Sequence, residues 1–185
     1  MKTIAVHLAT GFEEIEAITI IDILRRAGLN VIMISVTGES VVKGAHQIPV
    51  TADKLFADVD YESVDMIVLP GGTEGAENLD RHEGLKSQIL KFHHAGKLIG
   101  AICAAPMVLG HLGLLEDKTV VCYPGYENEL KGAHVEYVPA VTDGKLVTGR
   151  GIGAALNFSL EIVKMVAGKE KADKLAEGTL VETWK

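Results

Sequence analysis

The residue of this chain best placed to do chemistry is Cys103, because of what surrounds it. The apolar run Leu98-Ile99-Gly100-Ala101-Ile102 ends at the thiol, and Ala104-Ala105-Pro106-Met107-Val108-Leu109 follows with the character of a helix. A nucleophile at a strand-to-helix turn sits in a strained backbone conformation that demands small side chains two residues before and after it, here Ala101 and Ala105. The sulfur is expected at the helix N-terminus, where backbone N–H groups and the helix dipole favour an anion and lower a thiol's pKa. The plain alternative for any intracellular cysteine is a buried small hydrophobe, and that is how Cys122, ahead of Tyr123-Pro124-Gly125, is read.

Two other groups suit a cysteine nucleophile. Gly71 and Gly72 allow a sharp turn with an unshielded backbone N–H, so the N–H groups of Gly72 and Ala104 can hold the oxyanion formed when a thiolate attacks a carbonyl. An ordinary turn or a phosphate cradle is the competing reading, but no Gly-Lys-Ser/Thr follows, which argues against a nucleotide P-loop. Glu13, Glu14 and Glu16 crowd the start of a helix, where acidic residues stabilise the dipole. That suffices for Glu13 and Glu14. Glu16 shares the helix's inward region with Ile15 and Ile20, so its carboxyl is expected to be desolvated, protonated and able to donate to the Cys103 sulfur. Gly149-Arg150-Gly151-Ile152-Gly153-Ala154 has dinucleotide-like glycine spacing but lies at the end of the chain; close packing of a turn against the active edge, with Arg150 as an ion-pair partner, is the better account.

The elements that must position these groups alternate. Strands are expected at Thr3 to Ala9, Asn30 to Val36, Met66 to Leu69 and Leu98 to Cys103, then near Thr119 to Cys122, Val135 to Val138 and Leu146 to Thr148. Helices are expected at Glu14 to Ala27, with Ile15, Ile18, Ile21, Ile23 and Leu24 along one stripe and Gly28 as the stop, at His82 to Ala95, at Ala154 to Val166 and at Lys169 to Glu177. Val41 to Val50 reads as a short hairpin. This pattern predicts an α/β fold, a flavodoxin-like doubly wound and mostly parallel sheet sandwiched by helices, with ligands bound beyond the carboxyl ends of its strands. The segments after four strands, carrying Glu16, Gly72, Cys103 and Arg150, should therefore meet at one edge.

With 185 residues and no linker-like stretch, residues 1–185 read as one domain. A formal charge of −7 argues against nucleic acid or an anionic membrane surface as partner. No apolar stretch approaches the ~20 residues of a membrane span, and Met1-Lys2-Thr3-Ile4 runs straight into a strand, so the expected compartment is the cytoplasm. Two cysteines are too few for a disulfide scaffold, and the seven histidines are scattered without metal-ligand spacing, His93 and His94 serving as cations at a helix C-terminus.

Taken together, Gly11-x-Glu13-Glu14-x-Glu16, Arg25-Arg26-Ala27-Gly28, Leu69-Pro70-Gly71-Gly72 with Gly75-Ala76-x-Asn78-Leu79, Ala101-Ile102-Cys103-Ala104-x-Pro106 and Thr148-x-Arg150-Gly151-x-Gly153 make the chain resemble the ThiJ/PfpI family, within it the branch of the parkinsonism-associated protein deglycase. The resemblance runs over nearly the whole chain and implies a class I glutamine amidotransferase-like sheet and a homodimer that needs no cofactor or metal. It implies Cys103 as nucleophile, Glu16 as protonated partner and proton shuttle, and Gly72 and Ala104 as oxyanion donors, with Arg26, His46 and Arg150 around them. The implied activities are a glyoxalase converting methylglyoxal to lactate and removal of early glycation adducts from proteins, the partners being small aldehydes or glycated side chains. Tyr123 stands where many relatives have His, and an ordinary tyrosine pKa of about 10 makes it a poorer base. His46 stands where some have Arg. Ala104 follows the nucleophile where the protease-like branch has His, which counts against a Cys-His protease. The alternatives are a redox sensor or chaperone that uses oxidation of Cys103, and a hydrolase or amidotransferase, which needs a base beside the thiol.

Overall fold

The computed structural model describes residues 1–182 and 184. In chain order the elements are β1 (Thr3–Leu8), α1 (Glu14–Arg26), β2 (Asn30–Ser35), β3 (Val41–Lys43), β4 (Pro49–Thr51), β5 (Lys54–Leu55), β6 (Met66–Leu69), α2 (Thr73–Arg81), α3 (Glu83–His94), β7 (Leu98–Ile102), α4 (Pro106–His111), β8 (Thr119–Val120), β9 (His134–Val135), β10 (Ala140–Asp143), β11 (Leu146–Gly149), α5 (Ala155–Ala167) and α6 (Lys169–Gly178). Seven strands form one sheet in the order β10-β11-β7-β6-β1-β2-β5. Every pairing in it is parallel except that of β10 with β11 at the edge. Among the described residues no helix is long and apolar enough to cross a membrane.

Strand side chains alternate between two cores, as a sheet covered on both faces requires. Ile4, Val6, Leu8, Met66 and Val68 face the layer of α1 and α5, while Ala5, Ile67, Leu69, Ile99 and Ala101 face the layer of α3 and α4. Because β2 and β6 flank β1 on opposite sides, the chain leaves the carboxyl end of β1 toward one face and that of β6 toward the other. The crevice this reversal opens is where doubly wound sheets bind ligands.

The segments predicted as strands near 119–122 and 135–138 are shorter than expected and form their own two-stranded pairing, β8 with β9, beside β10 and β11 of the main sheet. Three elements escaped the sequence pattern. β5 is two residues long, β10 is a half-buried edge strand, and α2 is polar, glycine-containing and begins directly after Gly72. The stripe read along α1 is also corrected: Ile20, Ile21, Ile23 and Leu24 are buried together with Glu16 and Ala17, whereas Ile15 and Ile18 are 56% and 44% exposed. The expected hairpin is present as β3 and β4. It is bound to the turn after β1, Gly11 N–H donating to the Lys43 carbonyl at 2.9 Å and Ala45 N–H to that of Phe12 at 2.8 Å.

α2 packs so closely on that turn that a Cβ at Gly75 would stand 2.7 Å from Phe12 Cα and 2.8 Å from the Gly11 carbonyl oxygen. Backbone cannot yield as a flexible side chain can, so Gly75→Ala forces α2 away from the turn that leads into α1. Overpacking of this kind costs about 1–3 kcal/mol. We predict a lower urea midpoint for Gly75→Ala with an unchanged slope; an unchanged midpoint would contradict the packing described.

Candidate active site

The loops at the carboxyl ends of β1, β6, β7 and β11 do converge. Cys103, one residue beyond β7, has φ of 65°, a left-handed conformation costly for a residue with a side chain. Hydrogen bonds from both sides hold it there: its N–H donates to the Gly149 carbonyl at 2.9 Å, and its own carbonyl accepts from Tyr123 N–H at 2.8 Å. Ala101 and Ala105 are fully buried, as the crowded elbow requires. The thiol is nearly covered, the residue being 8% exposed.

Against it lies Glu16, which is fully buried. The Glu16 carboxyl accepts the Gly71 N–H on Oε2 at 2.9 Å and is within hydrogen-bonding reach of the Cys103 thiol. Its other oxygen, Oε1, is buried with no other hydrogen-bond partner among the described residues. The approach works only because residue 71 is glycine, since a Cβ there would collide with Cys103 Cβ and with Glu16 Oε2. A further bond, from Glu13 N–H to the Gly71 carbonyl at 2.9 Å, locks the start of α1 to the same loop. The remaining groups acting on the sulfur are the backbone N–H donors of Gly72 and Ala104. Sequence reasoning thus named the three groups that meet at the sulfur, Glu16, Gly72 and Ala104.

It misjudged the thiol's acidity. α4 begins only at Pro106 and has six residues, so its dipole does little for Cys103. Burial pushes the Cys103 thiol up to about 12, with the Glu16 charge adding to the rise and the Gly72 and Ala104 N–H bonds opposing it. Burial likewise pushes Glu16 up to about 7, against the lowering effect of its bonds with Cys103 and Gly71. The two titrations are therefore coupled. The part of the thiol's rise that comes from ionised Glu16 vanishes when Glu16 holds a proton.

Glu13 and Glu14 are buried rather than solvated helix-start residues. Glu14 clamps the hairpin to α1: His46 N–H reaches Oε1 at 2.7 Å, His46 Nδ1 reaches Oε2 at 3.0 Å, and Ile48 N–H reaches Oε1 at 3.4 Å. The signal in the sequence was Gly44, since a Cβ there would occupy the place of the Glu14 carboxyl. Ligand atoms of Glu13, Glu14 and His46 lie within 4.8 Å of one another, a spacing open to a cation, although Glu14 is already engaged by the hairpin.

The other named residues divide. Tyr123 is 48% exposed and lines an open groove of about 660 Å³ together with Tyr137, Pro139, Arg150, Gly151 and Ile152. Gly151 is the part of this groove nearest the sulfur: a Cβ on it would lie 3.9 Å from Cys103 Sγ. Arg150 has no carboxylate partner among the described residues, contrary to the ion pair expected; its guanidinium lies over the Tyr137 ring, 5.5 Å from the centroid. The turn does pack closely, a Cβ at Gly149 meeting Ile102 and Phe158. Arg26 takes no part: it pairs with Asp22 at 2.6 Å on the exposed surface, ten residues and roughly 15 Å along α1 from Glu16. Cys122 is buried in the core on the opposite face of the sheet from Cys103, as a structural thiol should be.

The model of the DJ-1/PfpI family matches residues 2–165. Protein DJ-1 homolog A of Arabidopsis thaliana is 38% identical over 95% of this chain, which spans 45% of that protein's length. The glutathione-independent glyoxalase DJR-1.2 of Caenorhabditis elegans is 35% identical over 88% of this chain and 87% of its own. The solved structure of oxidized Toxoplasma gondii DJ-1 superposes with a TM-score of 0.94 at 35% identity, covering 100% of both chains.

Substoichiometric iodoacetamide should label Cys103 before Cys122, since Cys103 lies beside Gly151 of the open groove; peptide mapping that finds Cys122 modified first would contradict the site. In Glu16→Gln the carboxylate that repels the thiolate is gone, so the pH profile of Cys103 labelling should move down by about one unit or more. An unmoved or raised profile would show that the Glu16 charge does not raise the thiol's pKa.

Proposed function

The chain belongs to the DJ-1/PfpI family, and we propose that within it the protein is a cofactor-independent enzyme acting on reactive carbonyls, with methylglyoxal as the simplest substrate and early glycation adducts on protein side chains as a second class. The observation that carries this reading is the fully buried Glu16 carboxyl set against the Cys103 sulfur, with the Gly72 and Ala104 N–H groups on the same atom. A carboxyl whose pKa stands at about 7 gives and takes a proton at neutral pH with little penalty either way. The name of the Caenorhabditis elegans relative supports the same chemistry.

The steps balance without an outside oxidant. The Cys103 thiol passes its proton to the Glu16 carboxylate as the sulfur adds to the aldehyde carbon, forming the sulfur–carbon bond; the carbonyl oxygen becomes an oxyanion held by the Gly72 and Ala104 N–H groups and then takes that proton from Glu16. Glu16, now ionised, removes the hydrogen of that carbon as a proton and returns it to the neighbouring carbon, while the hydroxyl proton on the first carbon passes to the oxygen of the second. The first carbon is oxidised to a thioester as the second is reduced to an alcohol. Water cleaves the thioester, releasing lactate and restoring the thiol. Tyr123, at the groove mouth, contacts substrate in this account rather than acting as base. A Cys-His hydrolase is less well supported, because the groups acting on the sulfur are Glu16, Gly72 and Ala104 and none is a histidine.

We also propose a homodimer. Ile15 and Ile18 on α1, with Val41 and Ile48 on the neighbouring hairpin, expose large apolar side chains beside the Glu14 clamp, a surface suited to a second copy.

Methylglyoxal consumption by purified protein should be abolished in Cys103→Ser and should fall by about 100-fold or more in Glu16→Gln, the contribution of a positioned acid–base group. Equal turnover in wild type and Glu16→Gln would remove the proton-shuttle role. Oxidation of Cys103 without any carbonyl turnover would favour a redox sensor instead. Light scattering of the same samples at low micromolar concentration tests the dimer, which a mass of 19.8 kDa would contradict.

A further inference from the structure

Four arginines occur in the chain, and three of them are neutralised. Arg25 pairs with Asp53 at 3.1 Å, Arg26 with Asp22 at 2.6 Å and Arg81 with Glu77 at 3.1 Å. Arg150 has no carboxylate partner among the described residues. It is nonetheless fixed in place. Its backbone N–H donates to the Pro139 carbonyl at 3.0 Å, its guanidinium lies over the Tyr137 ring, and one terminal nitrogen makes a long 3.4 Å bond to the Tyr137 carbonyl. A guanidinium has five N–H donors, so most of this planar fork is unspent.

This cation stands in the groove whose Gly151 wall borders Cys103. Among the described residues lining it, Arg150 is the only charged one, in a chain whose net charge is −7. The other walls are apolar or aromatic, Tyr123, Tyr137, Pro139 and Ile152 among them. Arg150 is joined directly to Gly151, where a Cβ would lie 3.9 Å from Cys103 Sγ. His46, the other cation named near the site, is occupied by Glu14 and lies close to Glu13.

We propose that Arg150 is a specificity-determining residue that binds a carboxylate in this groove, so that among reactive carbonyls the site favours those bearing a carboxylate a few bonds from the aldehyde. A carboxylate's two oxygens match the guanidinium fork, and stacking on Tyr137 holds the fork in one orientation. The proposal rests on the reading of Cys103 as a nucleophile in the groove, and its test does not require that the protein turn over any aldehyde.

Iodoacetate and iodoacetamide differ only in a carboxylate against a carboxamide. With either, the Cys103 thiolate forms a sulfur–carbon bond as iodide leaves with the electron pair. The ratio of their second-order rates at Cys103 is measured for wild type, Arg150→Gln and Arg150→Lys at mildly alkaline pH, with Cys103→Ser as the unlabelled control. The ratio should fall by about threefold to fivefold in Arg150→Gln, as expected for an ion pair open to water. Arg150→Lys should retain part of it, and in wild type the ratio should fall as salt is raised. A ratio that Arg150→Gln leaves unchanged overturns the proposal. If that variant does not fold, a wild-type ratio insensitive to salt, or one equal in wild type and Arg150→Lys, overturns it as well. Methylglyoxal consumption by the same wild-type sample keeps the two readings apart: no turnover with an Arg150-dependent ratio defeats the enzyme assignment and leaves the carboxylate subsite standing.

Discussion

The site depends on one costly arrangement, a carboxyl group with no exposure to water pressed against a nearly buried thiol. Placing two acids together in a low-dielectric pocket penalises ionisation of both, so the pair tends to hold one proton more than the separate groups would at the same pH. The backbone limits the penalty by donating N–H groups, Gly71 to the carboxyl and Gly72 and Ala104 to the sulfur. This explains why two adjacent glycines stand after β6. The first has no room for a side chain between Glu16 and Cys103, and the second, with φ of 89°, turns the chain into α2. Burial that destabilises charge in the resting protein is also what brings the Glu16 proton near the pH at which a shuttle works best.

The rest of the fold keeps these groups from separating. Glu16 is delivered by α1, which the N–H of Glu13 just before it ties to the Gly71 carbonyl and whose Glu14 holds the hairpin. Cys103 is delivered by β7, the elbow braced by β11 on one side and by the segment of Tyr123 on the other. On the far face, His111 at the end of α4 bridges Asp80 of α2 at 3.0 Å and Glu129 at 2.9 Å, so the helices that follow Gly72 and Cys103 are joined through one side chain. Strain at the φ of Cys103 persists because neighbouring elements over-determine it.

Much of this was legible in the sequence because it rests on local constraints. Small residues flanking Cys103 mark an elbow, paired glycines mark a tight turn, and an acidic residue among inward-facing isoleucines marks a buried carboxyl. What escaped depends on tertiary context. The polar α2 is held by packing on Phe12, which its composition does not announce. Ile15 and Ile18 fit an apolar stripe by spacing but face away from the core. The thiol's acidity followed from a helix dipole in the sequence reading, yet in the fold it is governed by burial and by the nearness of Glu16. Arg150 looked like an ion-pair partner and Arg26 like a site residue, because residue type does not reveal which carboxylate lies within reach.

The central claim is that Glu16 holds a proton beside the Cys103 sulfur near neutral pH. Isotope-edited infrared spectroscopy of glutamate-labelled protein, read as a wild-type minus Glu16→Gln difference, observes that proton through the carbonyl stretch of the neutral carboxyl. The account predicts a neutral-carboxyl band in mildly acidic solution that gives way to carboxylate bands as the pH rises through about 7. Carboxylate bands alone throughout that range would contradict it.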